Sequence, residues 1–284
     1  MAPVLAPGTL SSLTVQNPNS QDAMHRGPPP AWWLLALEVR ALAEWGSVLP
    51  ALPVLAQAPK GDGHAVMVFP GLSANDASTV PLRRFLKSRK YETSGWQQGF
   101  NFGPRPGVMN AARHQLEQTF AANNQRKVSL LGWSLGGIYA RELAKERPEM
   151  VRCVITLGTP FAGAPSSTRA WRLYELASGQ KAARESVLYD LPSAPPVPTT
   201  SIYSRGDGIV AWQSSIQPTK SNAQAPSENI AIPVASHLGL GINPAAWWAI
   251  ADRLAQPEGQ WQPFSQSFQQ SSKLTQWLYR QSQR

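Results

Sequence analysis

The segment Lys127-Val-Ser-Leu-Leu-Gly-Trp-Ser-Leu-Gly-Gly137 decides the fold of this chain. The apolar run from Val128 to Leu131 predicts a buried strand, and the pattern from Ile138 to Lys145 predicts a helix directly after it. Between them, Ser134 is the centre of Gly-Trp-Ser-Leu-Gly, a turn so tight that a Cβ two residues before or after the serine would clash. The segment therefore predicts a hydroxyl held out on a strained turn above a helix N-terminus, a geometry suited to a nucleophile.

Composition limits the classes of protein that need to be considered. With 284 residues, the chain is long enough for one large α/β domain with a cap and tails. The formal net charge is +9, which we interpret as a solvated basic surface, with attraction to anionic lipid as the alternative. The basic residues are scattered and show no zinc-finger spacing, so no nucleic-acid partner is expected. The single cysteine, Cys153, excludes an intrachain disulfide.

The first 58 residues differ in composition from the rest of the chain. Residues 1–30 are rich in Pro, Ser and Asn and lack the basic start of a secretory signal, so they are predicted to be a disordered arm. Residues 31–58 have an apolar helical pattern, with Arg40 and Glu44 on one face and Glu38 roughly opposite. These charges argue against a transmembrane helix. Two interpretations remain: the helix packs on the main domain, or it lies in a membrane interface.

From residue 63 to 258, predicted strands alternate with predicted helices. The strands are expected at 65–69, 92–96, 128–131, 151–157, 198–204 and 228–232, and the helices at 79–91, 108–123, 138–145 and 244–254. This alternation predicts a mostly parallel sheet with helices on both faces. The connection at about 163–198 is too long for an ordinary loop and contains a helical pattern, so it is predicted to be a small helical cap. Residues 259–284 are a Gln/Ser-rich tail.

A serine nucleophile needs a base and an acid, and chain order limits the candidates. His237 is the one histidine after Ser134, and it lies in a Gly-flanked loop between the last strand and the closing helix. Asp207 follows a strand directly, in the turn Arg-Gly-Asp-Gly-Ile-Val, which makes it the preferred acid over Asp190 and Glu142. Each of these loop residues could also be an ordinary turn residue.

The oxyanion of the reaction intermediate needs two backbone N–H donors. One is expected from Leu135, the residue after the nucleophile. The other is expected from Leu72, in the turn after the first core strand, because Pro70 has no N–H and Gly71 permits the turn.

Several segments between residues 65 and 255 carry a resemblance to bacterial α/β-hydrolases of the esterase/lipase type. They are Phe-Pro70-Gly-Leu72, Gly-Trp96-Gln-Gln-Gly-Phe-Asn101, Gly-Trp-Ser134-Leu-Gly-Gly, Thr156-Leu-Gly-Thr-Pro160, Ser-Arg-Gly-Asp207 and Ser236-His237-Leu. The resemblance implies an α/β-hydrolase fold and a Ser-Asp-His ester hydrolase that needs no metal or cofactor. It does not extend to the N-terminal arm, the Trp-rich helix or the C-terminal tail.

These observations together predict a hydrolase of carboxylic esters acting through an acyl-enzyme on Ser134. A thioesterase or acyltransferase could use the same residues, and an inactive hydrolase-fold scaffold is the alternative from another class. The acyl pocket is expected to be apolar, and its predicted lining is Trp133, Phe161, Trp171, Leu173 and Tyr174. The expected partner is a small-molecule or lipid ester, and the expected location is cytoplasmic, with peripheral membrane contact through residues 31–57 as a further expectation.

Overall fold

A six-stranded sheet forms the centre of the computed structural model, which describes residues 29–162, 190–218, 224–232 and 235–264. Its strands are β1 (Ala65–Phe69), β2 (Glu92–Gly95), β3 (Val128–Trp133), β4 (Val151–Leu157), β5 (Thr199–Tyr203) and β6 (Ser227–Ala231). They lie in the order β2-β1-β3-β4-β5-β6, and every neighbouring pair is parallel. The carboxyl ends of all six strands therefore meet at one edge of the sheet.

Helices cover both faces of this sheet. They are α1 (Trp32–Ala36), α2 (Ala41–Leu55), α3 (Asp76–Ser88), α4 (Val108–Ala122), α5 (Leu135–Glu146), α6 (His237–Leu240) and α7 (Pro244–Leu254). Buried side chains of α2, α3 and α7 pack on one face, and those of α4 and α5 pack on the other. Alternate residues of a strand point to opposite faces, so Val66 and Val68 belong to the first core while Met67 and Phe69 belong to the second. The predicted α/β-hydrolase fold is confirmed.

The predicted boundaries of α4 and α7 agree with the structure to within one residue, whereas α3 and α5 each begin three residues before the prediction, α5 at Leu135 instead of Ile138. Helix α3 begins before the expected Thr79 because the Asn75 side chain accepts a hydrogen bond from the Ala77 amide (3.0 Å) and caps the first turn. It ends at Ser88 instead of Tyr91, and Lys90 has a φ of +72°, which no helix contains.

The N-terminal helical segment corrects one expectation about side-chain placement. A 3₁₀ turn, Leu37–Arg40, lies between α1 and α2. A 3₁₀ turn advances about 120° per residue instead of about 100°, so a wheel drawn for a continuous α-helix misplaces the residues before it. Glu38 is consequently not turned away from Arg40 and Glu44; all three side chains contact the loops that follow β5 and β6.

Some predicted segments lie outside the described residues. These are the arm before residue 29, positions 163–189 of the predicted cap and the tail after residue 264. Among the helices that the structure describes, none combines the length and the apolar character needed to cross a bilayer.

Candidate active site

Ser134 occupies the sharp turn between β3 and α5. Its backbone has φ +52° and ψ −124°, a left-handed conformation that costs a non-glycine residue about 1–3 kcal/mol. Three hydrogen bonds hold it there: the Ser134 amide donates to Leu157 O (2.7 Å), and Ser134 O accepts from Thr159 Oγ1 (2.8 Å) and the Gly137 amide (3.0 Å). Surrounding structure therefore maintains the strain that turns the hydroxyl outward.

The glycines on either side of Ser134 allow two backbones to approach closely. A Cβ on Gly132 would lie 2.3 Å from Gly137 Cα, and one on Gly136 would lie 2.3 Å from Phe69 O. Both obstacles are backbone atoms, which cannot rotate away as a side chain can. The turn thus requires glycine at both positions for the packing reason that the motif predicts.

The structure brings together the three side chains that the sequence singles out for the reaction. His237 Nε2 lies 2.9 Å from Ser134 Oγ, and His237 Nδ1 lies 2.6 Å from Asp207 Oδ2. His237 and Asp207 are each 4% exposed, whereas Ser134 is partly open to solvent. The three residues follow β3, β5 and β6, so the common edge of the parallel sheet collects them.

The Asp207 carboxylate is oriented by its own turn. Its Oδ1 accepts hydrogen bonds from the amides of Ile209 (2.8 Å) and Val210 (2.7 Å), which leaves Oδ2 directed at the imidazole. The two other acids considered from the sequence have different partners: Glu142 binds Lys145 Nζ (2.7 Å), and the Asp190 side chain accepts from Ser193. Of the three candidates, Asp207 alone contacts His237 in the described part of the chain.

The electrostatic surroundings of His237 favour its protonated form. Burial lowers the pKa of an imidazole, but the Asp207 carboxylate and the negative charge of Glu38 outweigh it, so the pKa of His237 lies above its usual 6.5. An imidazole of this kind can take a proton from Ser134 and hold the resulting charge.

The turn after β1 runs beside Ser134. A Cβ on Gly71 would lie 3.3 Å from Ser134 Cβ, which places Gly71, the residue before the predicted donor Leu72, beside the serine. Leu135, the other predicted oxyanion donor, is the first residue of α5. The N-terminus of α5 therefore points its partial positive charge at the same place.

Asn101 fixes this turn from behind, and the sequence assigned it no such role. Its side chain is fully buried; Nδ2 donates to Pro70 O (2.8 Å), and Oδ1 accepts from the Gly103 amide (3.1 Å) and Tyr139 Oη (3.3 Å). Its backbone carbonyl accepts from the Ser73 amide at 2.7 Å. Asn101 thus ties the Pro70–Ser73 turn to the body of the domain. The signal available in the sequence was a lone Asn inside a Gly-rich loop, which carries no information about its partner.

Gly158 is a second residue whose role the sequence did not reveal. It has φ +55°, and a Cβ there would meet Asp207 Oδ2 and His237 Nδ1, each at 3.2 Å. The residue after β4 therefore packs directly against the Asp207–His237 pair, and any side chain would push the two apart. This gives the Thr156-Leu-Gly-Thr-Pro160 segment a physical reason to include glycine.

Two of the residues predicted to contact substrate have other contacts. Trp133 Nε1 donates to His237 O (3.2 Å), and its ring would touch a Cβ placed on Gly241 at 2.9 Å. Phe161 is 1% exposed, with the Arg141 guanidinium 3.7 Å from its ring centroid. Phe161 is therefore covered by protein in this structure, whereas Trp133 is only partly buried and its contact with substrate stays a prediction. Trp171, Leu173 and Tyr174 lie outside the described residues.

An apolar crevice lies beside the turn that carries Ser134. Its lining comes from the loop before α4, from α4 and α5, and from residue 191: Pro104, Met109, Leu135, Ile138, Tyr139, Glu142 and Leu191. Leu135 is adjacent to Ser134 in the chain, so one wall of this crevice lies close to the serine. Its lining is almost wholly apolar, which suits a hydrocarbon chain.

A second Ser-His-Asp arrangement lies at the opposite edge of the sheet. His64 Nδ1 is 2.6 Å from Asp62 Oδ1, and His64 Nε2 is 2.8 Å from Ser129 Oγ. His64 and Ser129 are completely buried, and Ser129 is inside β3 rather than on a strained turn. Burial lowers the pKa of His64 despite the neighbouring Asp62. This network satisfies polar groups in the core but gives a substrate no access.

In the part of the chain that the structure describes, no three His, Cys, Asp or Glu side chains are grouped so as to hold a metal ion. No protein-family model matches the sequence, and no curated protein matches it significantly.

Three solved structures of similar fold are described as hydrolases or as an esterase. An α/β-hydrolase from a lagoon-sediment metagenome, MGS-MChE2, is 18% identical with a TM-score of 0.45 over 65% of this chain and 87% of its own. Dienelactone hydrolase from Anabaena variabilis is 21% identical, with a TM-score of 0.44 over 69% of this chain and 85% of its own. Naproxen esterase from Bacillus subtilis is 15% identical, with a TM-score of 0.48 over 69% and 84%.

Similarity at this level says nothing about the substrate, so the assignment rests on features of the chain itself. These are the parallel sheet order, the strand–serine–helix turn after β3, and the loops after β5 and β6 that bring Asp207 and His237 to the serine. By these features the chain has the α/β-hydrolase fold.

Proposed function

We propose that this protein hydrolyses carboxylic esters through a covalent acyl-enzyme on Ser134. The observation that carries the proposal is the unbroken hydrogen-bonded line from Ser134 Oγ through His237 to Asp207, which ends on a strained and partly open serine. The Asp62–His64–Ser129 network contains the same three residue types, but its serine and histidine are fully buried and the serine lies inside a strand without a strained backbone. This contrast within one molecule favours a reactive role for Ser134.

In the first half of the reaction, Ser134 Oγ attacks the acyl carbonyl while His237 Nε2 accepts the hydroxyl proton. Asp207 accepts the Nδ1 hydrogen bond and stabilises the imidazolium. The amides of Leu72 and Leu135 donate to the oxyanion. The tetrahedral intermediate collapses by breaking the ester C–O bond, and His237 returns the proton to the leaving alkoxide, which departs as an alcohol.

In the second half, water replaces the alcohol. His237 takes a proton from the water as the water attacks the acyl carbonyl, and a second tetrahedral intermediate forms. Its collapse breaks the bond to Ser134 Oγ, which recovers its proton from His237. The products are one carboxylic acid and one alcohol, and the enzyme returns to its starting state.

The apolar crevice beside Leu135 supports an acyl group of hydrocarbon character. A matched pair of variants tests this part of the proposal. Replacing Ile138 with Trp fills the crevice and is expected to reduce kcat/KM for long acyl chains by more than that for acetate. Replacing Arg113, which lies on α4 and binds Glu146 away from the crevice, with Gln serves as the control.

The experiment for the whole proposal is a rate series on p-nitrophenyl esters of increasing acyl length, with acyl-CoA thioesters and alcohol acceptors in parallel. The proposal predicts ester hydrolysis that disappears in Ser134→Ala and His237→Ala. Faster turnover of acyl-CoA would indicate a thioesterase, and transfer to the alcohol in preference to water would indicate an acyltransferase. No turnover of any acyl donor would indicate a catalytically silent scaffold.

A further inference from the structure

The N-terminal helical segment holds the two loops that carry Asp207 and His237. Its central contact is Glu38, which is only 6% exposed. Glu38 Oε1 accepts from the amides of Gly208 (2.8 Å) and His237 (2.9 Å), and Oε2 accepts from Leu238 (3.0 Å). One carboxylate therefore accepts hydrogen bonds from the residue that follows Asp207, from His237 and from the residue that follows His237.

The side chains that follow Glu38 contact the same loops. The Arg40 guanidinium donates to the carbonyls of Gly206 and Ala235, and Glu44 Oε1 accepts from the Ser236 amide at 2.8 Å. The backbone also fits closely, since a Cβ on Gly208 would lie 2.3 Å from Leu34 O. The segment thus binds the backbone on both sides of Asp207 and on both sides of His237.

We propose that Glu38 is a positioning residue for the Ser134–His237–Asp207 triad. Its carboxylate joins the acid loop to the base loop and thereby sets the separation at which Asp207 and His237 meet. Hydrogen bonds to a carboxylate are about twice as strong as neutral ones, so three of them resist the drift of either loop. The inference rests on the proposed function, because positioning has meaning only if the triad is reactive.

Glu38 acts on His237 in a second way, through its charge. Burial lowers the pKa of His237, while Asp207 and then Glu38 raise it. The imidazolium formed when Ser134 loses its proton therefore has two anions near it. Removal of the Glu38 charge should weaken the base and lower the pH at which it becomes active.

The test compares Glu38→Gln with Glu117→Gln as the matched control; Glu117 is a partly exposed carboxylate of α4 that faces Arg147. Gln keeps the size of the side chain but presents an NH₂ group where an oxygen accepted a backbone N–H. For Glu38→Gln we expect kcat per titrated active site to fall 10- to 100-fold, KM to change less than about threefold, and the acid limb of the pH profile to move to lower pH. Glu117→Gln should change none of these quantities.

Expressing the rate per titrated site separates positioning from stability, since a purely structural role reduces the number of sites and leaves the rate at each one unchanged. If Glu38→Gln does not fold, Glu38→Asp replaces it; its shorter side chain should keep the charge and lose part of the rate. An active wild type with an unchanged kcat per site in either variant overturns the positioning role alone. A wild type without ester hydrolysis overturns the proposed function instead.

The N-terminal helical segment has a second feature, which is independent of Glu38. Large apolar side chains there are exposed in the described structure; the most exposed are Leu42 (78%), Trp32 (75%), Val39 (72%) and Leu49 (71%). The others are Trp33, Leu35, Leu37, Trp45 and Leu52. Single exposed apolar residues are normal, but nine of them lie within one segment of 21 residues, Trp32 to Leu52, and we call this set the outer face.

We infer that the outer face lies against an anionic lipid bilayer. Three of its members are tryptophans, whose rings favour the headgroup level of a membrane, and the charged side chains of the segment point into the protein. The net charge of +9 complements an anionic surface. A second copy of this chain would carry the same positive charge and gains no such attraction.

Vesicle sedimentation tests this inference without any reference to activity. The wild type should bind vesicles of equal parts phosphatidylcholine and phosphatidylglycerol more tightly than vesicles of phosphatidylcholine alone. Replacing Trp32, Leu42 and Leu49 with serine should weaken binding at least tenfold, whereas Phe100→Ser, at an exposed position in another loop, should not. Equal vesicle binding by the triple variant overturns the inference, and so does a wild-type dimer that the triple substitution dissociates.

Discussion

Replacing Asp207 with asparagine should change the hydrogen bond to His237 and leave the imidazole in a tautomer that cannot accept the proton of Ser134. Oδ1 of Asp207 receives the amides of Ile209 (2.8 Å) and Val210 (2.7 Å), so the amide oxygen of asparagine must occupy that position. The NH₂ group then lies where Oδ2 was, 2.6 Å from His237 Nδ1. Because NH₂ donates, Nδ1 must accept, and the ring proton moves to Nε2. The nitrogen that faces Ser134 Oγ at 2.9 Å can no longer accept its proton.

A wrong tautomer of this kind reduces kcat by about 10⁴-fold in serine hydrolases, which corresponds to about 5 kcal/mol of transition-state stabilisation. Both backbone hydrogen bonds to the side chain survive, so the variant is expected to fold. The assay is the steady-state kcat on a p-nitrophenyl ester, with circular dichroism to check folding. Asp190→Asn, at an exposed aspartate, is the control and should stay within about twofold of the wild type. A folded Asp207→Asn enzyme that keeps more than about a tenth of the wild-type kcat would refute this account of Asp207.

Three further predictions follow from the geometry. Gly137→Ala places a Cβ 2.0 Å from Thr159 Oγ1 and should lower the free energy of unfolding by about 1–3 kcal/mol, as measured with urea. A second substitution, Thr159→Ala, should restore part of that stability. No side-chain substitution should restore the stability of Gly136→Ala, because its Cβ meets the backbone oxygen of Phe69. Asn101→Asp keeps the acceptor for Gly103 and Tyr139 but loses the donor to Pro70 O, so kcat should fall at least about tenfold as the Leu72 turn loosens, and an unchanged kcat would contradict this role. The pKa of His64 is lowered in the folded state, so its contribution to stability is complete above pH 6.5 and is lost as the pH falls below that value. In thermal melts from pH 8 to 5, His64→Gln should be about 1–3 kcal/mol less stable than the wild type at pH 8 and should lose less stability on acidification. Parallel stability curves for the two proteins would argue against a buried neutral imidazole.

The sequence predicts those parts of the molecule that depend on local pattern. The turn at Ser134 has a glycine two residues before and two residues after the serine, and it lies between an apolar strand pattern and a helical pattern; each of these is a strong local signal. Chain order then leaves one histidine, and the position after β5 favours Asp207. The catalytic role of these residues stays a prediction, but their meeting in space follows from the parallel sheet.

Contacts between distant segments could not be read from the sequence. Glu38 reaches His237 from 199 positions away along the chain, and nothing in its helical pattern indicates the loop it binds. A helical wheel assumes a continuous α-helix, and the 3₁₀ turn at Leu37–Arg40 breaks that assumption. The wheel therefore places Glu38 opposite Arg40 and Glu44, which is wrong. Asn101 and Gly158 also act through long-range contacts, which residue type alone does not specify.

The predicted pocket residues show a related limit of the sequence. Trp133 precedes Ser134 directly, and Phe161 lies just after the predicted strand 151–157, which makes both aromatic residues candidates for an acyl pocket. In the fold, Phe161 is covered by Arg141, and Trp133 donates to His237 O and supports the base loop. Apolar character predicts burial better than it predicts what a side chain is buried against.

The central claim is that Ser134 is the nucleophile, and covalent labelling tests it most directly. Folded protein is treated with a fluorophosphonate, digested and analysed by mass spectrometry, with Ser134→Ala and the buried Ser129→Ala as the matched pair. We expect one adduct on Ser134 that is absent from Ser134→Ala, retained in Ser129→Ala and much slower to form in His237→Ala. An unlabelled Ser134 in folded wild-type protein, or an adduct that persists in Ser134→Ala, would contradict it.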